Sequence, residues 1–289
     1  MSSRRDFLRL SALAAAAGCA LGRTSKAFAA PASSGLIYGL QLFMVRRQAP
    51  KDLSGVLRAI RQIGYTQIEL YPIVYDHPAP ELRRIVQDAG LSSASAHFDY
   101  DDFESKIDYG HQLGLEYMVC PMLPKNLWTS TEGFREAAAK FNTWGKLVHD
   151  AGMTFAFHNH DYEFKPQGKT TGFAELMQHT DPALVKLEFD LYWLTQGGQD
   201  PAAMLTKYAN RARLIHLKDR KPNAPTSYDM EATSEHFTEI GKGTVQWPAL
   251  LSQAHKQGIR YAFVDQDETS EPVLESLKES YTYLRTLKV

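Results

Sequence analysis

The chain has 289 residues, 44% hydrophobic and 22% charged, with a formal net charge of −1. That composition excludes disordered, collagenous and coiled-coil chains. The near-neutral charge offers no electrostatic footprint for nucleic acid, two cysteines offer no disulfide scaffold, and no apolar run reaches the ~18 residues of a membrane span.

The chain opens Ser3-Arg4-Arg5-Asp6-Phe7-Leu8, followed by an alanine-rich apolar stretch over 10–21 and the small-residue site Ala27-Phe28-Ala29. A charged start, a short apolar core and an A-x-A site describe a secretory signal over residues 1–29. The arginine pair before Phe7-Leu8 resembles a twin-arginine export signal. Cleavage leaves residues 30–289 as one domain, with 27 basic against 32 acidic residues and Cys120 as its lone cysteine. The expected location is therefore periplasmic or secreted, with no membrane attachment after cleavage.

From residue 36 onward, short β-type runs alternate with helical stretches. The predicted strands are 36–43, 67–70, 93–97, 117–120, 154–158, 185–190, 214–217 and 261–264. The helices between and after them are 52–63, 80–89, 103–113, 131–151, 172–178, 201–208, 247–257 and 272–287. Gly64, Gly90, Gly114, Gly152 and Gly258 follow helices, where a left-handed residue ends them most easily. Strict alternation implies parallel strands and right-handed crossovers. Eight such units predict an α/β fold, a single-domain (β/α)8 TIM barrel. A doubly wound sheet is the rival, but Met44-Val45-Arg46-Arg47 after the first strand contains no glycine.

In such barrels the active site lies at the C-terminal ends of the strands. Those ends carry Gln41, Glu69, His97, Cys120, His158 with His160, Asp190, His216 and Asp265. Most can bind a metal or move a proton. His158 and His160 share one face of an extended segment, as do Glu188 and Asp190. Two imidazoles on one face can bind a divalent ion, or one can bind while the other moves protons. Motifs for structural zinc, zinc proteases and G-x-S-x-G serine hydrolases are absent.

The segments Phe157-His158-Asn159-His160-Asp161-Tyr162-Glu163-Phe164, Glu188-Phe189-Asp190-Leu191-Tyr192-Trp193, His216-Leu217-Lys218-Asp219 and Asp265-Gln266-Asp267 carry a family resemblance. The chain resembles the xylose isomerase-like barrel superfamily of sugar phosphate isomerases/epimerases, in an exported branch. The resemblance implies one divalent ion at the barrel mouth, manganese, zinc or magnesium, with manganese favoured. Asp190 and His216 match two of the usual ligands. His158 and Asp265 stand where the family has glutamates that both hold the metal and pass the substrate proton. With that pair replaced, His160, Glu163 and Lys218 are the candidate substitute bases. Gln41, Glu69, His97 and Trp193 are expected to contact substrate, and Phe43, Tyr71, Phe98 and Tyr162 to cover a sugar face.

The expected reaction is metal-assisted proton transfer next to a carbonyl, an isomerisation or epimerisation of a small carbohydrate. With no glycine-rich phosphate cradle and an export signal, a non-phosphorylated sugar or keto-sugar is the expected substrate. The same site could instead eliminate across a 3-keto-glycoside as a lyase or hydratase. A non-catalytic periplasmic sugar-binding protein is the reading from another class. The sequence leaves oligomeric state open.

Overall fold

The computed structural model describes residues 35–230, 235–269 and 271–288. The expected export signal at 1–29 lies outside them. Eight parallel strands close into a barrel: β1 (Ile37–Gln41), β2 (Gln67–Leu70), β3 (Ser92–His97), β4 (Tyr117–Cys120), β5 (Thr154–His158), β6 (Val185–Asp190), β7 (Ala212–Leu217) and β8 (Tyr261–Val264). Each pairs with its sequence neighbours, and β1 pairs with β8 from Ile37↔Tyr261 to Leu40↔Val264. The expected (β/α)8 barrel is therefore the observed fold.

Alternation along each strand separates two apolar regions. Phe155 and Phe157 of β5, Leu187 and Phe189 of β6, and Ile215 and Leu217 of β7 face outward into the core under the helices. Val119, Ala156, Leu214, Tyr261 and Phe263 face inward and fill the lower barrel. Higher in the barrel the same inward positions turn polar, with His158, Glu188, Asp190 and His216 one or two steps beyond that apolar floor. Gly39 in β1 makes room for the floor, since a Cβ there would stand 2.5 Å from the Phe263 ring.

The helices are α1 (Leu53–Ile63), α2 (Ala79–Asp88), α3 (Ile107–Leu113), α4 (Thr131–Asp150), α5 (Gly172–His179), α6 (Leu191–Gln196), α7 (Pro201–Lys207), α8 (Trp247–Lys256) and α9 (Val273–Leu284). Local chemistry sets several ends. Asp52 and Ser130 accept hydrogen bonds from the Gly55 and Gly133 N–H groups and start α1 and α4. Gly114 closes α3 at φ +78.

Several boundaries depart from the sequence expectation. The first strand stops at Gln41, because Leu42–Val45 turns into a 3-10 helix capped by the Gln41 side chain. Residues 103–106 are likewise 3-10 ahead of α3. Helix α6, directly after β6, was not expected. Two short antiparallel ladders, Pro166–Gln167 with Thr170–Thr171 and Asp219–Arg220 with Phe237–Thr238, lie outside the barrel. No helix among the described residues is long and apolar enough to cross a membrane.

Candidate metal centre and active site

The polar interior has two levels. The lower level is built around two carboxylates. Glu188 Oε2 lies 2.8 Å from His97 Nε2, 3.1 Å from His158 Nδ1 and 3.2 Å from His216 Nε2. Glu69 Oε2 lies 2.6 Å from His216 Nε2, 3.1 Å from His97 Nε2 and 2.7 Å from Gln41 Nε2. Ser95 Oγ donates to the other Glu69 oxygen. The strand register makes this layer, pairing Gln41 with Glu69, Glu69 with Ser95 and His158 with Glu188.

Burial alone would strip charge from these groups, but their mutual proximity opposes it. Burial works against a charged His97, yet Glu69 and Glu188 outweigh it and push the imidazole to about 9. His216 is raised in the same way against its burial, by Glu188 and Glu69. Burial raises Glu69, but His97 and His216 hold it well below the usual carboxylate range. His158 differs. Burial, then the neighbouring His216 and His160, keep it neutral.

The upper level lies at the strand ends. Asp190 closes β6 and caps α6, its Oδ1 accepting from the Trp193 N–H at 2.9 Å. That bond leaves Oδ2 turned to the mouth, 3.9 Å from His158 Nε2 and 3.1 Å from Lys218 Nζ, without a hydrogen bond among the described residues. Asp265 Oδ2 lies 3.2 Å from His216 Nδ1, and its Oδ1 has no partner among the described residues. Asp190, His216 and Asp265 each offer a donor atom within 4.8 Å of the others. Two buried carboxylate oxygens without a hydrogen bond among the described residues, beside a ring nitrogen, are a donor set that fits a divalent ion, and the Lys218 ammonium shares one of them.

Lys218 crosses this level. Its ammonium stands 2.9 Å from both Asp265 Oδ2 and Asp267 Oδ2. Burial opposes its charge, but Asp190, Asp265 and Asp267 outweigh it and raise it well above the usual range. Its three carboxylate neighbours thus favour the ammonium form of Lys218, the residue that the sequence offers as a candidate base.

The cleft above has a volume of about 130 Å³ and is lined by Gln41, Phe43, Tyr71, His97, Asp99, Pro121, Met122, His158, His160, Met230, Asp265 and Asp267. His160 sits in this wall. Its Nδ1 is buried without a partner among the described residues, and burial, then Lys218, keep the ring neutral. Its backbone N–H is held by both oxygens of Glu163, at 3.1 and 3.0 Å.

The structure thus brings Gln41, His97, His158, His160 and Asp265 to one cleft, with Asp190 and His216 beside it. Of the other four expected residues, Lys218 stands among the upper-level carboxylates, and Glu69, Glu163 and Trp193 do not line the cleft. Glu69 is fully buried beneath Gln41 and His97. Glu163 is turned onto the His160 backbone, and burial pushes its carboxyl up to about 8. Trp193 packs against Tyr192, Phe237 and His160 instead of facing the cleft. Of the expected aromatic cover, Phe43 and Tyr71 line the cleft, Phe98 is buried outside it, and Tyr162 stacks on Trp128 at 3.8 Å. Sequence reasoning missed Glu188 as a site residue, although its shared face with Asp190 was the available signal.

A parallel eight-stranded barrel with carboxylates and imidazoles converging on its C-terminal mouth defines the class, a TIM barrel whose strand-end cluster fits a metal ion. The chain belongs to the xylose isomerase-like TIM barrel family, whose model matches residues 57–287. An alignment 199 residues long is 27% identical to an inosose dehydratase of Clostridium beijerinckii and covers 60% of this chain and 66% of that relative. The chain spans less than two thirds of that relative and of the next curated relatives, which carry the same name. A sugar phosphate isomerase/epimerase from Parabacteroides distasonis has a TM-score of 0.71 at 24% identity, covering 88% of this chain and 95% of that one. The IOLI protein, solved with a zinc atom, has a TM-score of 0.68 at 13% identity, covering 87% and 97%. At these identities both structures share the fold.

Proposed function

We propose that the protein is a metal-dependent lyase that removes the proton next to the carbonyl of a non-phosphorylated keto-sugar and expels a substituent from the adjacent carbon. The observation that carries this reading is His160, a neutral imidazole in the cleft wall with an unpartnered ring nitrogen. The likeness to inosose dehydratases supports it, since a dehydratase eliminates water.

Asp190, His216 and Asp265, with His158 beside them, would hold a divalent ion. Such an ion, when bound, supplies a Lewis acid that polarises a carbonyl and stabilises charge on its oxygen. His160 takes the α-proton. The carbon–oxygen bond at the β position breaks, and its electron pair leaves on oxygen. The imidazolium then returns the proton to that oxygen, releasing water or an alcohol and leaving a carbon–carbon double bond. One histidine serves as base and acid in turn.

An isomerase or epimerase would use the same base but needs a second group across the carbon. His158 and Asp265 hold the positions for one, and they are engaged by Glu188 and Lys218. The cleft also argues against sugar phosphates. A phosphate there would meet Asp99, Asp265 and Asp267, while Arg46 at the rim is paired with Glu268 at 2.5 Å. We further infer, from the opening residues alone, that the protein is exported. N-terminal sequencing of the mature protein from a periplasmic fraction tests this.

The reaction is tested by a panel of keto-glycosides, keto-sugars and free sugars in D2O with added manganese. Release of aglycone or water with an enone chromophore is expected. Deuterium entering a retained carbon without elimination would replace the lyase reading with an isomerase or epimerase. Binding with neither signal would indicate a sugar-binding protein.

A further inference from the structure

We propose that the barrel holds a second metal position one level below the mouth, built by His97, His158, Glu188 and His216, that takes a borderline transition ion such as zinc. These four buried residues each offer one donor atom, and the four atoms lie within 4.8 Å of one another. Glu188 Oε2 is their hub, with ring nitrogens at 2.8, 3.1 and 3.2 Å. Ligands on a tetrahedral zinc at about 2.0–2.1 Å stand about 3.3 Å apart, so small movements admit an ion.

Two further observations point to a ligand. Glu188 Oε1 is buried with no partner among the described residues. Glu69 adds a second carboxylate beside the same nitrogens. Two buried carboxylates among three imidazoles call for two positive charges; His97 and His216 supply them in the metal-free chain, and one dication would take their place. His97 and His158 line the cleft, so an ion has a way in.

The donor types separate the two positions. Three imidazoles and a carboxylate below favour zinc over magnesium, while two carboxylates and one imidazole above suit a harder ion such as manganese. The positions also exclude each other. His158 and His216 turn one nitrogen down to Glu188 and the other up toward Asp190 and Asp265. A neutral imidazole offers a lone pair on one side only. An ion at one level therefore leaves these rings as donors toward the other, and the chain binds one ion at a time. This inference does not rest on the reaction proposed above.

Chelator-treated full chain, titrated calorimetrically with zinc or manganese alone, tests it. One zinc per chain is expected. His97→Ala should weaken zinc by at least the roughly 100-fold upper end of a second-shell loss, with manganese unchanged within about twofold. Asp265→Asn should do the reverse. X-ray absorption of the zinc-loaded unaltered chain should count three imidazoles, a result independent of whether any variant folds. One or two imidazoles, or zinc lost in Asp265→Asn, would overturn the proposal. So would equal weakening of both metals in His97→Ala, or two ions bound together.

Discussion

The ammonium of Lys218 stands 2.9 Å from Asp265 Oδ2 at the rim of the barrel, with both side chains buried. The same ammonium reaches Asp190 and Asp267. A charged lysine thus sits inside the carboxylate set that would hold a metal, and balances part of its charge.

Replacing that charge has a defined cost. Lys218→Met leaves Asp190, Asp265 and Asp267 facing one another without the ammonium they share. We expect a loss of about 3–5 kcal/mol in the metal-free protein near pH 7, as for other broken buried pairs. Without the ammonium the folded carboxyls titrate higher, so the deficit should shrink between pH 7 and pH 5. Urea unfolding at the two pH values measures it, and a deficit independent of pH would contradict the pairing.

His160→Ala should lower kcat by about 10²–10⁴, the usual worth of a positioned acid/base group. Metal content by elemental analysis should stay unchanged, because the ring lies beside the ligand set and outside it. Full turnover in the variant would remove His160 as the base.

Glu163 supplies a pH signature. Burial pushes its carboxyl up to about 8 from an ordinary 4.5. A raised folded value means that its stabilisation is complete below pH 4.5 and is lost as pH rises through about 8. Glu163→Gln keeps an acceptor for the His160 N–H and cannot ionise. The variant should gain on the unaltered chain as pH rises across that window, read as the difference in unfolding free energy. Parallel stability curves would show that the carboxyl does not ionise there.

Asp219, beside Lys218 in sequence, has a different task. Its carboxylate accepts from Trp247 Nε1 at 2.8 Å and from the N–H groups of Arg220, Gly241 and Val245. Asp219→Ala should cost about 3 kcal/mol by leaving these donors unpaired. Manganese affinity should remain within a few fold. Chemical unfolding and calorimetry separate the two effects.

The barrel was legible because outward strand positions are apolar and glycines punctuate the helices. The mouth residues were legible because they end those strands. Helix α6 was not, since Leu191–Gln196 is too short to show periodicity and its start depends on a bond from Asp190. Nor was depth. Reading the last residue of each strand gives Glu69 and Asp190 equal standing, and only the register places one below the other. Glu188 was passed over for the same reason. Glu163 and Trp193 lie away from the cleft because the loop after β5 and the turn into α6 point them elsewhere, which spacing alone does not reveal.

The apolar floor of Val119, Ala156, Leu214, Tyr261 and Phe263 closes the barrel from below, so among the described residues the polar chamber opens toward the cleft. Whatever reaches Glu69 and Glu188 must pass the cleft, and a substrate seated there is a stopper. That imposes an order on events, with the ion entering first and the substrate second. Saturating substrate or product should slow the release of bound metal to a chelator, and a chelation rate unaffected by either would show a second way out.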